Sequence, residues 1–177
     1  MKKDNIVLIG FMGSGKTSNG ISLSYKMKRP FLDTDHWIEQ HEKRTINEIF
    51  AEEGEDYFRK AETQCLKQLL RDTDRAIISV GGGTPVKEEN RPLLKELGCV
   101  IYLRVKPETV IRRLKGDTTR PLLQGEHPEE KVRALMESRK EAYEGTADLI
   151  LDMDDYLNKQ GAIAVQKAYE AFTKKEN

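Results

Sequence analysis

The stretch "GFMGSGKT" (10–17) places glycines at its first and sixth positions and follows them with Lys16 and Thr17. This is the G-x-x-x-x-G-K-[ST] spacing of a phosphate-binding loop. The chemistry follows from the residue types. Glycines let the backbone fold tightly enough for several N–H groups to point inward and form an anion nest. A helix starting at the loop adds its partial positive charge. A lysine at position 16 reaches β- and γ-phosphates, and a threonine hydroxyl at 17 is offered to Mg²⁺. Gly13, Ser14, Gly15, Lys16, Thr17 and Ser18 are therefore the nucleotide-binding candidates, with Mg²⁺ the implied metal.

A second group of candidates is "LDTD", with Asp33 and Asp35 two residues apart. Residues two apart on a strand face the same side. Both carboxylates could then face a crevice at the carboxyl end of a sheet, where open α/β folds bind ligands. Phosphoryl transfer needs one acid to hold the metal's water shell and another to take the acceptor's proton. The alternative is that one aspartate caps a helix beginning near His36.

The third group is "VGGGTP", with Gly81, Gly82 and Gly83 after a short apolar run. No Lys-Ser/Thr follows, so this is not a second phosphate loop. Two readings remain open. It is a close turn between a strand and a helix, or it lets a compact second substrate lie against bare backbone amides.

The elements that must position these residues alternate in type. "NIVLIG" (5–10) reads as a buried strand ended by glycine,. A helix is expected from Lys16 to Lys28, a strand in "RPFLDTD" (29–35), and helices over 36–43 and 45–71, the second broken or bent at Gly54. In it Ile46, Ile49, Phe50, Phe58, Ala61, Cys65, Leu66 and Leu69 fall at helical steps,. "AIISV" (76–80), "CVIYLRV" (99–105) and "ADLILDM" (147–153) read as strands. Helices are expected over "EENRPLLKEL" with Gly98 as stop, from Pro107 to about Leu114, over 129–144 and over 158–174,. "KGDTTRPLLQGEHPEE" is polar and interrupted by two glycines and two prolines, which predicts a mobile loop,. Five strands alternating with helices predict an α/β fold with a parallel sheet covered on both faces. No repeat or domain boundary is visible, so 1–177 reads as one domain.

Composition excludes some classes. Lys+Arg and Asp+Glu are 30 each, a formal net charge of +0, which argues against a general nucleic-acid binder,. The apolar run near the N-terminus is too short for a signal sequence. No run approaches the roughly 20 residues of a membrane span. Cys65, in a helical-looking stretch, and Cys99, at the start of an apolar strand-like run, are the two cysteines and read as buried small residues,. His36, His41 and His127 lack zinc-ligand spacing,. A cytoplasmic protein is the expectation.

"GFMGSGKT", "FLDTD", "EIFAEEGEDYFRKAE", "SVGGGTP", "DTTRPLL" and "ESRKEAY" occur in the order and at the spacing of shikimate kinases. The resemblance runs from about residue 5 to residue 150. It implies the three-layer α/β/α P-loop kinase fold, with substrate-binding helices at about 35–62 and a lid at about 114–126. It implies that Gly81, Gly82 and Gly83 line the shikimate pocket. Asp35 would bind the shikimate hydroxyls and be the base, and Asp33 would order water around Mg²⁺. Arg59 and Arg139 would grip the substrate carboxylate, which guanidinium does in a planar two-toothed way that lysine cannot copy. Arg120 would sit on the lid and neutralise charge on the moving phosphoryl group. Arg113 would lie on the adenine side. Phe50 and Phe58 either wall the pocket or pack within the helices. The acidic "DMDDYLNK" departs from the family's adenine loop and receives no residue assignment. Ser18 and Asn19 stand where a threonine or a small aliphatic residue is more usual in the family, with no consequence expected.

The resemblance implies transfer of the γ-phosphoryl of ATP to the 3-hydroxyl of shikimate by a monomer, with no nucleic-acid or membrane partner. The rival readings are a nucleoside-monophosphate kinase, a gluconate-type sugar-acid kinase and a non-catalytic nucleotide-binding regulator.

Overall fold

A computed structural model describes residues 3–115, 126–154, 156 and 160–176. Among these are five strands: β1 (Ile6–Ile9), β2 (Phe31–Asp33), β3 (Ile77–Ser79), β4 (Cys99–Arg104) and β5 (Leu149–Asp152). Eight helices accompany them: α1 (Lys16–Met27), α2 (Thr34–Glu42), α3 (Ile46–Glu53), α4 (Glu55–Asp72), α5 (Asn90–Leu97), α6 (Pro107–Leu114), α7 (Pro128–Thr146) and α8 (Gln160–Glu176). The strands form one parallel sheet in the order β2-β3-β1-β4-β5. Helices α1 and α8 pack together, as do α5 and α7, giving helix, sheet and helix layers.

β1 is central because its residues can be buried on both faces. Ile6, Val7, Leu8 and Ile9 are all fully buried, and Val7 sits in register between Ile78 of β3 and Val100 of β4. The chain builds β2 and β3 on one side of β1 and then crosses to build β4 and β5 on the other. This reversal opens a crevice at the carboxyl end of β1, where ligands bind in such sheets.

The opposite end of the sheet is fastened by a buried asparagine. Asn5 Nδ2 donates to Leu97 O at 2.7 Å, and its Oδ1 accepts from Ala76 N at 2.8 Å. Asn5 O also accepts from Cys99 N at 2.9 Å, so one residue ties the starts of β1, β3 and β4.

The boundary between β2 and α2 differs from the sequence reading. β2 stops at Asp33, and α2 begins at Thr34 rather than at 36. Asp33 ends the strand itself: its side chain accepts from the N–H groups of Asp35 and His36 and caps the helix,. The segment 45–71 is divided at Gly54, whose φ of 82° and ψ of 178° only glycine adopts readily,. Thr45 and Glu48 form a reciprocal capping box at the start of α3,. Of the expected stripe, Ile49, Phe58, Cys65, Leu66 and Leu69 are buried, while Phe50 remains partly exposed and tilts against Phe58 at 4.9 Å between ring centres. Both cysteines are buried. No described helix is long and apolar enough to cross a membrane.

Candidate active site

The phosphate loop follows β1 and runs into α1. Gly13 and Gly15 have φ values of 74° and 93°, a left-handed backbone that side chains disfavour,. No side chain caps α1, so its first N–H groups face the loop's anion site. Lys16 Nζ donates to Gly10 O at 2.8 Å and to Phe11 O at 3.0 Å, folded back over the loop. Ser14 is buried, and its Oγ has no hydrogen-bond partner.

A cavity of about 500 Å³ brings the three sequence motifs together, with Lys16, Thr17, Asp33, Asp35, Gly81 and Gly82 in its wall. A second cavity of about 940 Å³ lies on the other side of the loop, against Gly13, Ser18, Arg113, Tyr156 and Gly161. Arg113 Nη1 donates to Gly13 O at 2.8 Å, which places its guanidinium beside the phosphate loop at the mouth of that cavity.

The two aspartates reach the first cavity differently from the expectation. They do not share a strand face: Asp33 closes β2 and Asp35 lies in the first turn of α2. Asp33 caps the helix and also meets the phosphate loop. Its Oδ1 accepts from Asp35 N at 3.0 Å, and its Oδ2 accepts from Thr17 Oγ1 at 3.3 Å. Capping and proximity to the phosphate loop are divided between its two oxygens. Asp35 is largely buried, and its Oδ1 has no partner. Its pKa is pushed up to about 6, chiefly by burial, then by the charges of Asp33 and Glu62, against the pull of Lys16,.

The triple glycine is not there for an unusual backbone conformation. Gly83 has a φ of −87°, and none of the three has a left-handed φ. Close approach explains it. A Cβ on Gly81 would lie 2.9 Å from Asp35 Oδ1 and 2.8 Å from Glu62 Oε1. A Cβ on Gly83 would lie 2.2 Å from Arg59 Nη1. At Gly82 the nearest atom would be Arg139 Nη1, at 3.5 Å. Gly81 and Gly83 are bare so that two acids and one arginine can crowd against the loop, while at Gly82 the contact is ordinary.

Arg59 is fixed on α4 by Glu62 Oε2 at 2.6 Å and by Glu55 Oε1 at 3.0 Å. Burial pulls its pKa down, but these acids outweigh burial and leave it above the ordinary value. Arg139 on α7 lies over the Phe11 ring at 5.7 Å. Arg120 and most of the expected lid at 114–126 lie outside the described residues.

Sequence reasoning missed three contributors. Glu62 is 1% exposed and bridges Arg59 to Thr84, whose Oγ1 donates to it at 2.6 Å. Its spacing of three from Arg59 was visible, but that spacing is as common on solvated helix faces. Thr34 accepts from Gly81 N, and the Tyr143 hydroxyl donates to Gly82 O. These contacts span 47 and 61 residues, and no local pattern announces them. The acidic "DMDDYLNK" also finds a structural use. Asp152 pairs with Arg104, and Asp154 accepts from Lys106 N at the start of α6.

The donors fit a magnesium ion. Thr17 and Asp33 present a hydroxyl and a carboxylate side by side beside the anion nest. Mg²⁺ takes hard oxygens, keeps several waters and relies on substrate phosphates, so it needs no dedicated protein cage. Among the described residues no group of three or more His, Cys, Asp or Glu forms such a cage. His41 stacks on Trp37 at 3.5 Å, and His127 occupies the N-cap position of α7.

Comparison with known proteins agrees with this geometry. The shikimate kinase family model matches residues 12–170. The shikimate kinase of Cereibacter sphaeroides is 39% identical over 166 residues, covering 94% of this chain and 82% of that protein. That of Enterococcus faecalis is 45% identical over 151 residues, covering 84% of this chain and 88% of that protein. The structure of shikimate kinase from Acinetobacter baumannii in complex with shikimate superposes with a TM-score of 0.89 at 36% identity, over 96% of this chain and 94% of that one. With the phosphate loop, the paired aspartates and the crowded triple glycine in one crevice, and with matches over nearly its whole length, the chain belongs to the shikimate kinase family.

Proposed function

We propose that the protein transfers the γ-phosphoryl group of ATP to the 3-hydroxyl of shikimate. The observation that carries the acceptor side is Asp35 Oδ1, buried without a partner in the cavity that also holds Lys16 and Thr17. A buried carboxylate oxygen without a partner is costly, and a substrate hydroxyl is the donor that satisfies it.

With a pKa near 6, Asp35 is ionised at neutral pH yet basic enough to orient the hydroxyl and take its proton,. Lys16 leaves the carbonyls of Gly10 and Phe11 and moves onto the β- and γ-phosphates. Thr17 would hold Mg²⁺, with Asp33 ordering water around it. When bound, the ion neutralises phosphate charge. Arg59 and Arg139 grip the substrate carboxylate from the two sides of the glycine loop, and Gly81, Gly82 and Gly83 form its floor. Gly13, Ser14, Gly15 and Ser18 cradle the phosphates. Arg113 lies on the adenine side. Arg120 retains the role that its "TTRPLL" motif implies, charge neutralisation from a lid. Little covalent work is left to the protein, so positioning and charge neutralisation carry the rate.

The chain is read as one kinase domain with an acceptor side at about 35–62 and a lid at about 114–126. It works as a cytoplasmic monomer whose partners are ATP and shikimate, without nucleic acid or membrane. A balanced charge and two buried cysteines support this reading,. Family membership does not favour the gluconate-type or regulator alternatives.

The test is a coupled ADP-release assay with Mg·ATP and shikimate, quinate, gluconate, AMP or no acceptor. Turnover that depends on shikimate is the expected result. Turnover only with gluconate or AMP would overturn the acceptor assignment. ATP binding without turnover of any acceptor would favour the regulator.

A further inference from the structure

The second glycine loop has no side chains with which to hold its own shape, and its backbone has the most freedom to lose on folding. Part of its hydrogen bonding is internal. Gly81 O accepts from Thr84 N and Gly83 O accepts from Val86 N, both at 3.0 Å, which closes the loop into the turn Thr84–Val86. Two other backbone groups are taken by side chains from two different helices, α2 and α7. Gly81 N donates to Thr34 Oγ1 at 3.1 Å, and the Tyr143 hydroxyl donates to Gly82 O at 2.7 Å.

Both side chains are anchored and dry. Thr34 is 2% exposed and Tyr143 is 1% exposed. The Tyr143 ring tilts against Tyr102 of β4 at 5.1 Å between centres. Burial pushes its phenol above the ordinary value, against the pull of the neighbouring Arg139 and Arg59 guanidinium groups, so the hydroxyl remains a donor at neutral pH. Each anchor also adjoins a residue that faces the acceptor. Thr34 immediately precedes Asp35, and Tyr143 follows Arg139 by one helical turn on the same face of α7,.

We infer that Thr34 and Tyr143 are positioning residues that fasten the glycine loop between Asp35 and Arg139, and so set the span of the acceptor pocket from reacting hydroxyl to carboxylate. The inference rests on the roles given above to Asp35 and Arg139. It has a physical basis in the acceptor's chemistry. A ring that carries its hydroxyl and its carboxylate at fixed positions must meet both ends of the pocket at once. A loop displaced by a fraction of an ångström weakens that double contact, while the nucleotide, held by the other glycine loop, is unaffected.

The experiment compares Tyr143→Phe, Thr34→Val, Thr34→Ser and Arg139→Ala in steady-state kinetics and in shikimate calorimetry. Tyr143→Phe and Thr34→Val should each raise the KM for shikimate about three- to tenfold, the scale of one net hydrogen bond. The KM for ATP should stay within about twofold, since uniform damage to the fold does not separate the two substrates. Thr34→Ser keeps the hydroxyl and should behave like the unaltered protein. Tyr143→Phe keeps every ring contact, and it decides the matter by itself if Thr34→Val does not fold. An unchanged shikimate KM in Tyr143→Phe, an equal change in both KM values, or a Thr34→Ser as impaired as Thr34→Val would overturn the inference. If Arg139→Ala weakens shikimate binding and Tyr143→Phe does not, the positioning role alone falls. If Arg139→Ala leaves shikimate affinity unchanged, the carboxylate grip falls, and the positioning role falls with it.

Discussion

A methyl group on Gly83 would stand 2.2 Å from Nη1 and 2.5 Å from Cζ of Arg59. The backbone at Gly83 would accept alanine without strain, since its φ is −87°,. The cost of Gly83→Ala therefore falls on Arg59, which must leave its place between Glu62 and Glu55. Shikimate affinity should drop at least about tenfold, near 1.4 kcal/mol, with the KM for ATP little changed. Gly145→Ala is the control, because it lies in α7 and nothing stands within 4 Å of its methyl. Calorimetry on both variants checks this. Equal affinity in Gly83→Ala and the unaltered protein would remove Arg59 from the carboxylate grip.

Asp35 makes two pH predictions of opposite sense. As a base it must be ionised, so kcat/KM for shikimate should fall as pH drops through about 6,. Asp35→Asn should lower kcat by roughly 10²–10⁴. For stability, the folded-state pKa is raised above the unfolded value of 3.8. The folded protein then binds more protons than the unfolded chain between these values. Asp35's contribution to stability is fully present below 3.8 and is lost as pH rises through about 6,. Asp35→Asn removes that loss and should raise Tm at pH 7.5, with the advantage shrinking as pH falls toward 4. Thermal melts across this range test it. A variant that is inactive and also less stable at pH 7.5 would contradict the burial argument.

The phosphate side of the site was legible because its chemistry is local. "GFMGSGKT" spans one loop, directly after β1, and the first residues of α1, so spacing alone places Lys16 and Thr17. The paired aspartates show where that stops. Two residues apart reads as one strand face, but Asp33 caps the helix that Asp35 enters, and a cap ends the strand it sits on. The acceptor side is less legible still. Glu62 has the spacing of a surface ion pair with Arg59, and becomes a buried link only because α4 packs against α5 and the turn at Thr84. Thr34 and Tyr143 meet the glycine loop through the fold, across neighbouring strands and from a helix much later in the chain. A run of three glycines says that something must come close. Which side chains come close is a property of the packing.

Asp33→Asn should separate capping from metal chemistry. Asparagine caps helices about as well as aspartate, and its side-chain oxygen can still accept from Asp35 N and His36 N. The charge beside Thr17 is lost. The variant should keep its Tm within about 2 °C, the scale of a surface substitution. It should need several-fold more Mg²⁺ for half-maximal turnover, and chelation should abolish turnover in both proteins. A Mg²⁺ titration of the ADP-release rate checks it. An unchanged requirement would leave Asp33 with capping alone.

Gly98 offers a stability prediction far from the chemistry. Its φ of 168° is ordinary extended backbone, so alanine is not excluded by conformation. Space excludes it: a Cβ there would lie 2.3 Å from Asn5 O and 2.7 Å from Asn5 C, both backbone atoms that cannot swing away. Asn5 O is the acceptor for Cys99 N at 2.9 Å, the bond that starts β4 beside β1. Gly98→Ala must push these strands apart and disturb the Asn5 side-chain bonds to Leu97 and Ala76 as well. Overpacking of this kind costs roughly 1–3 kcal/mol, which for a chain of this size lowers Tm by about 2–12 °C. The site lies at the carboxyl ends of the strands and Gly98 precedes the amino end of β4, so KM values of the folded fraction should not change. A thermal melt with kinetics on the same sample tests both halves. An unchanged Tm would mean that β4 can shift against β1 at no cost, and that the sheet is not held at its base by Asn5.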